Sequence, residues 1–527
     1  MKMVKSLLLG GAAGLLAVAG AQAADMPVKA KAVAYVKICS LYGDGFYYIP
    51  GTDTCLKISG YVRNQHYFTY GAYVSSATNG PFFGNGTNMR TGSQNDYIIR
   101  SRTSMYFDAR TQTEYGTLRS VLSVGFSFDS PGQASTAANG INPYANRAFI
   151  QIAGFTFGQA QSFYDFFSGA AVSYYGLIGQ SDTGDGGWKV AAYTAQFGNG
   201  FSATLSLEEH RALNNSATSF GANSNANITA AFGQVSTGTV GGGNGGATVD
   251  NQSQIINRMP DILGILRVDQ AWGAAQLMGG IGESSSGYYD FSAACLGTIG
   301  VQAAGTANCG HPADKFGFVV GAGLRINADV IGKGDYFQAQ VTYTEGMLKY
   351  ASNTPLGGAQ AVGLSSHNVA LGIGTDAVYG KLGGVASATE LTTGWSAAAS
   401  FEHNWNPNWK TSIYGTYLAV SFNDNAKALI CANLVGSAAT AGAVNATAAT
   451  LNCAPNYQVW EVGSRTQWNV TRGLYMGVDV LYRKLETGFA GTPFVYTSNT
   501  TRPSGVYVAA NQDAIVTTFR IHRDFPY

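Results

Sequence analysis

Five arginines early in the chain, Arg63, Arg100, Arg102, Arg119 and Arg147, lie on the polar parity of stretches in which every second residue is apolar. A guanidinium is always charged, and like charges this close are not placed together against lipid. They face water. Such a row sets an electric field and can attract, orient and pass charged or dipolar solutes. A plainer role, holding a neighbouring segment to a wall by salt bridges or hydrogen bonds, is open to each of them singly.

Bond-making chemistry has little support. No G-x-S-x-G elbow or H-E-x-x-H motif stands out, and the glycines of Val320-Gly321-Ala322-Gly323 and Gly332-Lys333-Gly334 lack the strand-to-helix setting of a phosphate loop. No catalytic residue, cofactor or metal site is implied. The six cysteines form local couples by spacing: Cys39 with Cys55, Cys295 with Cys309, Cys431 with Cys453. With no CxxC and with His66, His210, His311, His367, His403 and His522 scattered, they read as short-loop disulfides of an oxidising compartment.

The elements that must position these residues are strands. From Ile98 to Phe128 two alternating stretches flank the turn Thr113-Glu114-Tyr115-Gly116. Arg100, Arg102, Ser104, Tyr106, Asp108 and Arg110 share one parity, and Ile99, Thr103, Met105, Phe107 and Ala109 the other. Alternate side chains of a strand point to opposite faces, so this hairpin has a lipid side and a water side. The pattern recurs over Leu56–Tyr70, Arg147–Ala153, Phe155–Gln161, Trp188–Phe197, Phe201–Leu207, Asp261–Val268, Trp272–Gly280, Phe316–Ile326, Asp335–Thr344, Gly394–His403, Trp409–Phe422, Gln458–Val470, Gly473–Leu485 and Ala514–Phe525. With the hairpin these are sixteen strands, an even number suited to an antiparallel transmembrane β-barrel with an aqueous lumen. Short turns such as Gly198-Asn199-Gly200 and Asn406-Pro407-Asn408 alternate with long Gly-, Ala-, Ser- and Asn-rich insertions, among them Leu213–Ile256 and Lys349–Thr393. That asymmetry fits periplasmic turns and outer loops.

Lys2 and Lys5 precede an apolar run ending in Ala21-Gln22-Ala23, the pattern of a signal peptide cleaved before Ala24. The mature chain then carries 29 basic residues, the 31 less these two, against 30 acidic ones. That balance suggests no nucleic-acid partner. Only 12% of residues are charged, beside 69 Gly, 30 Tyr and 27 Phe, and mean hydropathy is near zero. A barrel explains this, because only alternate side chains meet lipid. Residues 24–54 are expected to form an N-terminal periplasmic or plug-like segment around the Cys39–Cys55 loop, and residues 55–527 the barrel.

The run Cys39-Ser-Leu-Tyr-Gly-Asp-Gly-Phe-Tyr-Tyr-Ile-Pro-Gly-Thr-Asp-Thr-Cys55, continuing into Leu56-Lys57-Ile58-Ser59-Gly60-Tyr61-Val62-Arg63, closely resembles the N-terminal region of alphaproteobacterial general porins of the Brucella and rhizobial type. Val28-Lys29-Ala30, Arg100-Ser101-Arg102 and Arg523-Asp524-Phe525 match as well, while the long loops resemble the family only in composition. One departure is the ending Pro526-Tyr527 where Phe is usual. The resemblance implies an outer-membrane porin passing small hydrophilic solutes and ions by diffusion, a homotrimer in contact with outer-membrane lipid and lipopolysaccharide and inserted by the barrel-assembly machinery. It also implies an inward-folded third loop, here Phe163–Gly187. That stretch carries Asp165, Asp182 and Asp185, which could form an acidic side of the constriction opposite the arginines. A substrate-specific channel, for sugars for instance, would instead use a line of lumen aromatics, for which Tyr164, Tyr174 and Tyr175 are the candidates.

Overall fold

The computed structural model describes residues 38–71, 97–129, 141–184, 186–211, 258–286, 311–353, 358–365, 368–382, 385–431, 453–496 and 505–525. Sixteen strands form the barrel: β1 (Cys55–Gly71), β2 (Tyr97–Thr113), β3 (Gly116–Asp129), β4 (Ile141–Ile152), β5 (Phe155–Ala160), β6 (Trp188–Gly198), β7 (Phe201–Glu208) and β8 (Asp261–Gln270) make the first half. The second half is β9 (Gly273–Ser284), β10 (Lys315–Asn327), β11 (Tyr336–Glu345), β12 (Thr393–Asn406), β13 (Trp409–Ser421), β14 (Tyr457–Thr471), β15 (Leu474–Thr487) and β16 (Gln512–Phe525). Each pairs antiparallel with its sequence neighbour, and β16 pairs with β1 from Gly60 opposite Phe525 to Gly71 opposite Ala514. The sheet is closed. A barrel without edges satisfies every ladder donor and acceptor internally, which a membrane demands.

Burial follows the expected parity. Ile58, Val62, Leu122, Phe126, Leu266, Leu277, Val341, Ile413 and Val480 are exposed on the outside, while Ser104, Asp108, Ser123, Ser127, Gln276, Gln340, Asp479 and Thr518 are buried within. The exposed aromatics gather at the two ends of the strands: Phe201, Trp272, Trp405, Trp409 and Trp468 near the short turns, and Phe68, Tyr97, Phe128, Phe316 and Trp395 near the long connections. Two girdles at these heights mark the two membrane interfaces.

Strand β4 starts at Ile141, earlier than alternation predicts, because Ser123 pairs with Arg147 but Val124 with Ala145, leaving Asn146 as a bulge. The extra residue puts Tyr144 and Arg147 on the same face. The long connections also hold structure that their Gly- and Ala-rich sequences do not announce: Gly358–Ser365, Asn368–Gly374, Pro493–Tyr496 and Gly505–Ala509 make a separate four-stranded sheet. Residues 526–527 lie outside the described residues, and the last strand runs through Phe525.

The Cys39–Cys55 and Cys431–Cys453 disulfides are present, while Cys295 and Cys309 lie outside the described residues. Cys39, Cys55 and Phe46 form a small buried cluster. Around it, the Arg110 guanidinium lies 4.8 Å over the Phe46 ring, and Lys57 Nζ donates to the Asp44 carbonyl at 3.1 Å. The segment before β1 is thus fastened to lumen-parity residues at the short-turn end of β1 and β2.

Candidate pore constriction

Residues 161–184, following β5, turn into the lumen and cross to the opposite wall. The first stretch docks on β9 and β11. Gln340 Oε1 accepts the Phe166 and Phe167 amides at 3.1 and 2.8 Å, Tyr164 Oη donates to Thr342 at 3.3 Å, and Gln276 Nε2 donates to the Phe163 carbonyl at 3.1 Å. The second stretch docks on β13 to β16. Asp479 accepts the Tyr174 amide and the Tyr414 hydroxyl, both at 2.5 Å, and the Ser173 hydroxyl at 3.0 Å. Glu461 Oε2 accepts the Ile178 amide and the Thr416 hydroxyl, both at 2.6 Å, while its Oε1 accepts from Arg483 Nε at 2.5 Å. Arg520 donates to the Tyr174 carbonyl at 3.2 Å. Phe167, Val172, Tyr175 and Leu177 from the loop pack with Tyr67, Ile98, Tyr336, Tyr414, Leu481 and Val516 from the wall.

Glu461 and Asp479 carry this docking, and neither is among the residues expected at a constriction. Their signal was present: each is a carboxylate on the lumen parity with valine beside it, Val462 after Glu461 and Val478 and Val480 around Asp479. A buried carboxylate persists only when donors saturate it, and the loop supplies them.

The eight charged residues expected at a constriction are distributed as follows. Arg63 stands directly opposite Arg102 on β2 and His522 on β16, with its guanidinium 5.0 Å over the Tyr61 ring. Arg102 donates to Ser127 Oγ at 2.7 Å and lies 5.0 Å over Tyr144, so these two partners are neutral. Arg100, one row further along, is buried and stands opposite Gln65, which also faces Arg520. Arg119 is tied to Asp108 at 2.9 Å, a carboxylate it shares with Arg110 at 2.8 Å. Arg147 donates to the Gly184 carbonyl at 2.5 Å and so fastens the loop to its near wall.

The two described aspartates turn into the loop's own hydrogen bonds. Asp165 accepts from the Thr183 amide and hydroxyl at 2.6 Å and from Ser181 Oγ at 2.7 Å, and pairs at 3.4 Å with Arg211, which also meets Glu208 at 3.3 Å. Asp182 accepts from the Gly184 amide at 2.7 Å and the Gly169 amide at 3.1 Å. An irregular segment inside a barrel has backbone N–H groups with no strand partner, and these carboxylates satisfy them. Asp185 lies outside the described residues. Tyr164, Tyr174 and Tyr175 are buried between loop and wall, where loss of water pushes each phenol above its ordinary pKa and keeps it neutral. Among the described residues no group of three or more His, Cys, Asp or Glu is arranged to hold a metal ion.

A closed sixteen-strand barrel crossed by an inward loop is a channel architecture, and residues 25–518 match the model of the family described as Porin subfamily. The chain belongs to that family. Among its relatives, the porin Omp2a of Brucella ovis is 31% identical over 296 residues, covering 51% of this chain and 68% of the relative. The porin Omp2b of Brucella suis is 32% identical over 280 residues, covering 51% of this chain and 64% of the relative. The outer membrane channel DcaP of Acinetobacter baumannii shares the fold at a TM-score of 0.50 and 12% identity, over 90% of this chain and 99% of that one. This porin is an outer-membrane β-barrel whose inward loop docks on its far wall.

Proposed function

We propose that this porin passes small hydrophilic solutes and ions by passive diffusion and that its constriction favours anions. The juxtaposition of Arg63 and Arg102 on adjacent strands carries this reading. Two like charges side by side raise the local positive potential, and field lines focus in a water-filled lumen with low-dielectric walls. Several lumen carboxylates are matched by cations, Asp108 by Arg110 and Arg119, Glu402 by Lys410 and Arg465, Glu461 by Arg483 and Asp165 by Arg211, and Asp524, on the same wall, meets His522 at 2.9 Å.

The chain acts as a channel with no catalytic role, and three copies associate in the outer membrane against lipid and lipopolysaccharide after insertion by the barrel-assembly machinery. Residues 1–23 are removed before Ala24. A sugar track made from Tyr164, Tyr174 and Tyr175 finds no support, because all three are buried. The test is the reversal potential of the purified barrel in a planar bilayer under a tenfold KCl gradient. Anion preference is expected, and Arg63→Gln with Arg102→Gln shifts it toward cations. An unchanged reversal potential in the double variant would refute the assignment.

A further inference from the structure

Gln65 on β1 stands directly opposite Arg520 on β16 and, on its other side, opposite Arg100 on β2. All three are buried, Gln65 to 1% exposure and Arg520 to 7%. Two residues along β1, Tyr67 packs against Tyr175 of the inward loop with ring centroids 6.3 Å apart. Arg520 donates to the Tyr174 carbonyl at 3.2 Å, with its guanidinium 4.0 Å over the Tyr174 ring. This row therefore lies behind the second stretch of the loop, at the seam where the barrel closes.

Parts of the row have no match in the protein. Neither amide atom of Gln65 has a hydrogen-bond partner, nor does Nε of Arg520. Among the described residues no carboxylate pairs with Arg520. Asp479 stands opposite Thr518 instead and accepts from Ser173, Tyr174 and Tyr414, while Asp524 meets His522 at 2.9 Å. A buried guanidinium is costly unless a counter-charge meets it, and a ring face with one carbonyl supplies no full charge and no acceptor for Nε. Residues directly opposite in a sheet have Cβ atoms about 4.5–5.5 Å apart, which sets the Gln65 amide and the Arg520 guanidinium within reach of one small ligand. We infer that Gln65 and Arg520 hold a small monovalent anion, a halide such as chloride, and that this anion helps to seat residues 174 and 175 on the seam. Water fills such a space without supplying the charge. The site lies behind the loop, off the passage, and is independent of the selectivity proposed above.

Bromide is the probe, because it replaces chloride and scatters anomalously where water does not. In crystals of the full-length porin soaked in potassium bromide, an anomalous peak is expected between Gln65 and Arg520, and ordered water alone at that point overturns the site. In non-ionic detergent at equal ionic strength, the unfolding midpoint is expected to be about 1–2 °C higher in bromide than in the bulkier gluconate, the shift that tenfold saturation of one site gives a chain this long. Equal midpoints in the two salts overturn the inference. Gln65→Leu and Arg520→Gln are each expected to abolish the difference, and a bromide advantage that survives both overturns the assignment to these residues. Gln65→Leu keeps the contacts of Arg520 with Tyr174, so the test stands even where Arg520→Gln fails to assemble. It also separates a held anion from a dry amide: an apolar side chain in place of an unpaired buried amide is neutral or stabilising, so a midpoint raised in both salts likewise overturns the inference.

Discussion

Replacing Glu461 by alanine should release the middle of the inward loop. The carboxylate and Arg483 are each 3% exposed, and the change strands the guanidinium in the wall together with the Ile178 amide and the Thr416 hydroxyl. Removing one partner of a buried pair costs about 3–5 kcal/mol. At 1.36 kcal/mol per decade, the undocked population of residues 176–180 then rises by about two to four decades. Asp479 and Gln340 still hold the flanking stretches, so the barrel assembles and only this segment loosens. Leu177 lies within it at 1% exposure, which makes Leu177→Cys a reporter. Its modification by a water-soluble thiol reagent should be slow with Glu461 present and faster by at least two decades in Glu461→Ala, with noisier single-channel current. Adding Arg483→Leu removes the uncompensated charge together with its 3.3 Å hydrogen bond to the Gly176 carbonyl, and should restore part of the slow rate. Equal rates with and without Glu461 would show that the carboxylate does not hold the loop.

Three further outcomes are expected. Non-reducing mass mapping should find Cys295 joined to Cys309 in addition to the Cys39–Cys55 and Cys431–Cys453 links; free thiols at the first pair would contradict the local-pair reading. Leu122, 44% exposed on the lipid face, should tolerate Phe but not Arg, which costs about 2–4 kcal/mol at the bilayer midplane, and the fraction of heat-modifiable folded barrel on a gel reports it. His210, between β7 and β8, is buried, which lowers its pKa, but its 2.5 Å contact with Asp261 and the nearby Asp376 and Glu283 raise it above the ordinary value on balance. Its stabilising contribution is therefore complete below the unfolded pKa of about 6.5 and lost as pH rises through the higher folded one, so Tm should fall across that window and the fall should vanish in His210→Asn.

The strands were legible because two solvents impose one rule: between lipid and water, a residue of the wrong parity is expensive, so alternation is enforced along every strand. Where the rule lapses, so does legibility. The bulge at Asn146 switches parity and hides the first residues of β4, and the Gly- and Ala-rich strands of the small outer sheet carry no two-faced pattern at all. The arginines were legible as a group by the same parity. Their separate fates were not, since Arg119 takes Asp108 and Arg147 takes a loop carbonyl, while Arg63 and Arg102 meet each other. Asp165 and Asp182 read as lumen charges because their sequence shows an acidic loop; the amides they satisfy exist only once the loop is bent. Glu461 and Asp479 find their loop partners 283 and 305 residues away, and no local pattern encodes that.

That distance orders events during biogenesis. The loop is made before the wall that receives it, because the residues that seat its second stretch belong to β13, β14, β15 and β16. A chain lacking those strands can seat only the first stretch, on Gln276 of β9 and Gln340 of β11. The seam between β16 and β1 sets Thr518 and Tyr67 on the two sides of Tyr175, so the full seat of the second stretch exists only in the closed cylinder.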